Sequence, residues 1–118
     1  MKLLLTAVSA NRKFTKALVR NSEALSGLRN SLTGLDLPST RIETLQITFM
    51  DRSPDHVRVV GSLDSFTQIE VGIPEDLDEY SDGDKLVNLI RSSILRGISE
   101  LLVPSAEREL MLARVKAS

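Results

Sequence analysis

The chain has 118 residues, 42% of them hydrophobic and none of them cysteine. That composition excludes a disordered chain, a disulfide scaffold, a thiolate nucleophile and a cysteine-based metal site. The net charge of −1 conceals a segregation: residues 1–35 carry six bases (Lys2, Arg12, Lys13, Lys16, Arg20, Arg29) against Glu23 alone, residues 36–84 carry twelve acids and three Arg, and residues 85–118 carry six bases and three acids. Segregated charge steers partners and sets association rates without specifying a reaction. The length corresponds to one domain, residues 1–118. No apolar stretch approaches the roughly 20 residues of a membrane span.

Leu3 to Val8 is a short apolar run that suits a central strand. The start imitates a signal peptide, with Lys2 before the run and Val8-Ser9-Ala10 at its end, but the run falls short of the roughly 7–15 residues of a signal core. Asn11 is an expected N-cap. Phe14, Leu18, Leu25, Leu28 and Leu32 fall within about 80° of one another at helical spacing, which predicts one helix over 12–33. Asn21 stands on that stripe, either as a kink or as a buried amide with a partner. Gly34 suits the position just beyond the helix end. After a linker containing Pro38, period two takes over. Leu45, Ile47 and Phe49 alternate with polar residues, then Val57, Val59 and Leu63, then Ile69, Val71 and Ile73. Turn chemistry at Asp51–Asp55 and at Asp64-Ser65 predicts an antiparallel meander with one dry face.

Pro74 stops the last strand, and an acidic loop follows. Ser81 and Asp84 have capping-box spacing at the start of a helix expected over 82–103, which Pro104 ends. Leu86, Ile90, Ile94, Ile98 and Leu101 form its core stripe. Val87, Leu95 and Leu102 widen the apolar arc beyond what one sheet face needs. Leu110, Met111 and Val115, on a last helix 106–116 capped by Ser105, are the expected cover for Leu95 and Leu102. Ser93 and Gly97, one turn apart, mark a close backbone approach. The expected fold is an α+β two-layer sandwich of order β-α-β-β-β-α-α, with a mostly antiparallel meander sheet and helices on one face.

The strongest functional signal is charge. Between Asp64 and Asp84 the chain holds eight acids and no base, six of them (Glu75, Asp76, Asp78, Glu79, Asp82, Asp84) within ten residues. Such a run is either a docking surface for a basic partner or a solvated loop whose last acids stabilise a helix start. As a calcium loop it fails: with Gly83 as the turn glycine, Tyr80, Leu86 and Leu89 occupy ligand positions and the bidentate Glu is missing. His56 is the only histidine and belongs on the polar face of a strand start. Arg12, Lys13, Lys16 and Arg20 give the first helix a basic solvent face. The central element order resembles the double-stranded-RNA-binding domain, but Asp82, Gly83 and Asp84 stand where that family places phosphate-binding lysines. No phosphate loop, nucleophile elbow or metal helix is present. The reading is therefore a non-enzymatic binding protein without cofactor, metal, nucleic-acid partner or membrane association.

Small size, a cysteine-free α+β layout and the acids from Glu75 to Asp84 resemble the small acidic immunity proteins that bacteria make against their own toxins, including those of contact-dependent inhibition systems. The resemblance implies a cytoplasmic inhibitor that clamps a basic toxin domain, often a nuclease. It implies that Glu75, Asp76, Asp78 and Glu79 make the charged contacts, with Tyr80 as an aromatic anchor and Asp82 and Asp84 extending the surface. The alternatives are a self-associating structural subunit, such as a homodimer, drawn from the wide apolar arc and the complementary charges, and a small-ligand-binding domain. If the last helix covers the arc, the ground for self-association is removed.

Overall fold

The computed structural model describes residues 1–8, 12–37, 42–60, 66–74, 83–101 and 103–117. Among them the order is β1 (Lys2–Ala7), α1 (Arg12–Arg20), α2 (Ser22–Leu32), β2 (Thr44–Met50), β3 (Val57–Val60), β4 (Phe66–Gly72), α3 (Gly83–Ser99) and α4 (Ser105–Lys116). The fold is α+β, with one four-stranded sheet of order β1-β2-β4-β3.

The sheet is mixed, which corrects the expected antiparallel meander. β1 and β2 are parallel, β2 and β4 are parallel, and only β3 runs antiparallel, beside β4. β4 has inserted between the two strands that precede it. Strand length and apolarity explain the order. β2 and β4 have seven residues each and bury Leu45, Ile47, Phe49, Ile69 and Val71 completely, whereas β3 has four residues, half-buried valines and an exposed Arg58. A short charged strand is tolerated at an edge and wasted in the middle.

Gly72 makes the crossing possible. The connection from β2 to β3 passes over the end of β4, and a Cβ on Gly72 would lie 1.7 Å from the Ser53 carbonyl oxygen. The turn is fastened there by Gly72 N–H to His56 O (2.9 Å), Ile73 N–H to Met50 O (3.1 Å) and His56 N–H to Ser53 O (2.9 Å). Arg96 of α3 secures it from the helix layer by donating to the Pro54 carbonyl and standing 3.5 Å from the Asp55 carboxylate.

β1 is an edge strand rather than a central one. Its apolarity is used by the α1–α2 crossover, which parallel pairing with β2 requires and which packs on β1. The expected single helix over 12–33 is broken at Asn21. Backbone hydrogen bonds still cross the break (Asn21 N–H to Ala17 O, 3.1 Å; Leu25 N–H to Asn21 O, 3.0 Å), and the Asn21 amide also donates to Ala17 O at 2.9 Å. Asn21 is thus both kink and satisfied amide. Gly34, at φ 82°, terminates α2 as expected.

α3 crosses β4 closely, with Gly97 against Ile69 and Ser93 buried beside it. Its stripe of Leu86, Ile90, Ile94 and Ile98 is fully buried, and Leu101 continues it. α4 packs on α3 and α2. It buries Glu107, Met111 and Val115, four residues apart, and turns Leu110 to solvent, so Leu110 is not part of the expected cover. Leu95 is half-buried against the core, and Leu102 lies outside the described residues. Ser105 is the first residue of α4 and not its cap; Pro104 holds that position. Arg108 donates to Leu101 O (2.7 Å) and Val103 O (3.4 Å), which satisfies carbonyls where the chain leaves α3.

Candidate partner-binding surface

Glu75, Asp76, Asp78, Glu79, Tyr80 and Asp82, and with them Ser81 of the expected capping box, lie outside the described residues. What the structure provides is the frame on either side of the acidic segment. Upstream, Ile73 is tied to Met50 O, and Pro74 lines a cleft of about 260 Å³ with Pro54, Leu89, Ser92, Ser93 and Arg96. Downstream, Gly83 opens α3, where its Cα side faces Asn21 Oδ1 and the Ala24 methyl at the α1–α2 junction. Asp84 is exposed in the first turn of α3, where a carboxylate is favoured by the helix dipole. Leu89 lies six residues beyond Gly83, about 9 Å along the helix. The described residues on either side of the segment thus stand beside the middle of α3 (Pro74) and at its start (Gly83).

This frame brings together residues that are far apart in sequence. Gly83 packs beside Asn21 and Ala24 at the α1–α2 junction, and Arg12, Lys13, Lys16 and Arg20 of α1 are exposed. The start of α3 and the kink between α1 and α2 thus meet at one corner. Sequence spacing gives no indication of this, because the corner depends on the kink at Asn21.

His56 is half-buried, with Nε2 3.5 Å from Glu70 Oε2. It stands on the polar side of the sheet, paired with the neighbouring strand. Among the described residues no group of three or more His, Cys, Asp or Glu side chains is arranged to hold a metal ion. The residues of the calcium alignment, apart from Gly83, Asp84, Leu86 and Leu89, lie outside that set.

The side of the sheet away from the helices forms a second surface. Its residues are Lys2, Leu4 and Thr6 of β1, Thr44, Gln46, Thr48 and Met50 of β2, Phe66, Gln68 and Glu70 of β4, and Arg58 and Val60 of β3. Its polar centre is hydrogen-bonded laterally. Gln46 Nε2 donates to Thr6 Oγ1 (3.1 Å), Gln68 Nε2 donates to Thr48 Oγ1 (3.2 Å), and the two threonine hydroxyls share a bond of 3.2 Å. Phe66, at its rim, is 43% exposed.

Comparison with protein-family models, with curated proteins and with solved structures finds no match to this chain. Its surfaces are therefore interpreted from their own chemistry. Among the described residues no helix is long and apolar enough to cross a membrane.

Proposed function

We propose that this is a non-enzymatic protein-binding protein, an inhibitor of the immunity type that neutralises a basic protein domain such as a toxin nuclease. The observation that carries the reading is the run of eight acids and no base from Asp64 to Asp84, whose densest part connects the end of β4 to the start of α3. Both flanking elements, β4 and α3, are packed parts of the fold, and the carboxylates between them are proposed to face a basic partner. Acids presented in this way accelerate encounter with a basic partner and repel acidic competitors. The cleft between Pro54, Pro74 and Leu89 includes the residue directly before the densest part of the run and has apolar walls for the stem of an inserted side chain. A cytoplasmic location belongs to the same proposal.

The competing reading, a self-associating subunit, loses support from α4. Met111 and Val115 are buried where α4 packs on α3 and α2, so much of the wide apolar arc is satisfied within one chain.

The test is a pull-down at low salt from the source organism, with the wild-type chain and with a variant carrying Glu75→Ser, Asp76→Ser, Asp78→Ser and Glu79→Ser. The expected result is one basic protein, released by a salt step and absent from the variant sample. Equal recovery of the same partner by both baits would refute the acidic segment as the docking surface.

A further inference from the structure

We propose a second docking site, at the outer edge of β1, that accepts an extended acidic peptide as an added strand. β1 ends the sheet, and no described strand pairs with its outer side. Lys2 N–H bonds Glu43 O and Val8 N–H bonds Phe49 O, both towards β2. Alternation along a strand then points the backbone groups of Leu3, Leu5 and Ala7 outward. The edge is six residues long, with no proline and no bulge, and Lys2 is its sole charge. Apart from Lys2 at its first position, those are the properties of an edge open to strand addition.

Beside this edge lies a cleft of about 450 Å³ lined by Ala7, Arg12, Thr15 and Lys16. It lies between Ala7 of β1 and the face of α1, the helix that packs on this edge strand. Arg12, Thr15, Lys16 and Val19 follow helical spacing of three and four, so they form one face of α1. Val19 is 70% exposed on it, and α1 contains no acid. Ala7 pairs in register with Phe49, so its side chain is on the helix side of the sheet. An added strand would therefore direct alternate side chains towards Arg12 and Lys16, and the remaining ones alongside Leu4 and Thr6. The cations select acidic side chains at every second position, and the edge supplies the main-chain hydrogen bonds. The occupant is a partner peptide that is extended and acidic at alternate positions. This site is separate from the acidic segment and carries the opposite charge.

The test uses two fluorescent octapeptides, one alternating Glu with Val and Thr, the other with Lys in place of each Glu. Binding is read by fluorescence anisotropy at low salt, and backbone amides are followed by NMR hydrogen exchange. The acidic peptide is expected to bind, to slow exchange at Leu3, Leu5 and Ala7, and to lose at least about tenfold in affinity with Arg12→Glu/Lys16→Glu. Lys16→Gln, a milder change on the same exposed face, is expected to give a smaller loss. Equal binding of the basic peptide, unchanged affinity in both variants, or protection at other amides would overturn the proposal. Concentration-dependent protection of the same three amides without peptide would also overturn it, and would assign the edge to a second copy of the chain.

Discussion

The two faces of the sheet are made by the same strands and solve opposite problems. On the covered face Leu45, Ile47, Phe49, Ile69 and Val71 are removed from water by α1, α2 and α3. On the open face Thr6, Gln46, Thr48 and Gln68 satisfy one another sideways and need no layer above them. The covered face provides the stability, since burial of aliphatic surface is the dominant favourable term in folding. Lateral hydrogen bonds leave the open face self-sufficient, so its exposure does not by itself call for a second copy. The two proposed docking surfaces are the acidic segment before α3 and the edge of β1.

Substitutions can break or sharpen this contrast. The largest effect is expected on the covered face. Phe49→Ala removes a fully buried ring that stacks 4.8 Å from Phe14, and should destabilise by about 3–5 kcal/mol in chemical denaturation. Gly72→Ala comes next, at about 3 kcal/mol, because its new methyl meets the Ser53 backbone and not a movable side chain. Loss of exchange protection confined to β3 and the 51–56 turn would show that the crossing had yielded. On the open face Thr48→Val removes the hydroxyl that bridges Thr6 and Gln68, and should cost about 1 kcal/mol. Val19→Ser, on the exposed side of α1, should change stability by no more than about 0.5 kcal/mol. A Thr48→Val loss as large as that of Phe49→Ala would erase the distinction between the faces.

Much of the element pattern was legible in the sequence. Period two located Leu45–Phe49, Val57–Val59 and Ile69–Val71, and helical spacing located both helical regions, because burial on one side imposes those periods directly. The close approach at Ser93 and Gly97 was legible for the same reason. Strand order was not. Alternation is identical whether β2 lies beside β3 or beside β4, and short connections favour the sequential neighbour. The one local sign was Gly72, readable as an interruption but in fact the point where the 51–56 turn crosses. α4 misled because Leu110 and Glu107 exchange their expected environments: Glu107 shares the buried face with Met111 and Val115. Of the candidate site, the acidic character of 75–84 was plain from composition, and Asp84 is exposed as expected. The meeting of the start of α3 with the α1–α2 kink was hidden, because it depends on tertiary packing of Gly83 beside Asn21.

The most direct test of the docking proposal is the association rate of the captured basic partner, measured by stopped flow across a range of ionic strength, for the wild-type chain and for the four-serine variant. The account predicts a wild-type rate that falls steeply with added salt, and a variant rate at least about tenfold slower at low salt with a flatter dependence. Identical rates and identical salt dependence in the two proteins would contradict it.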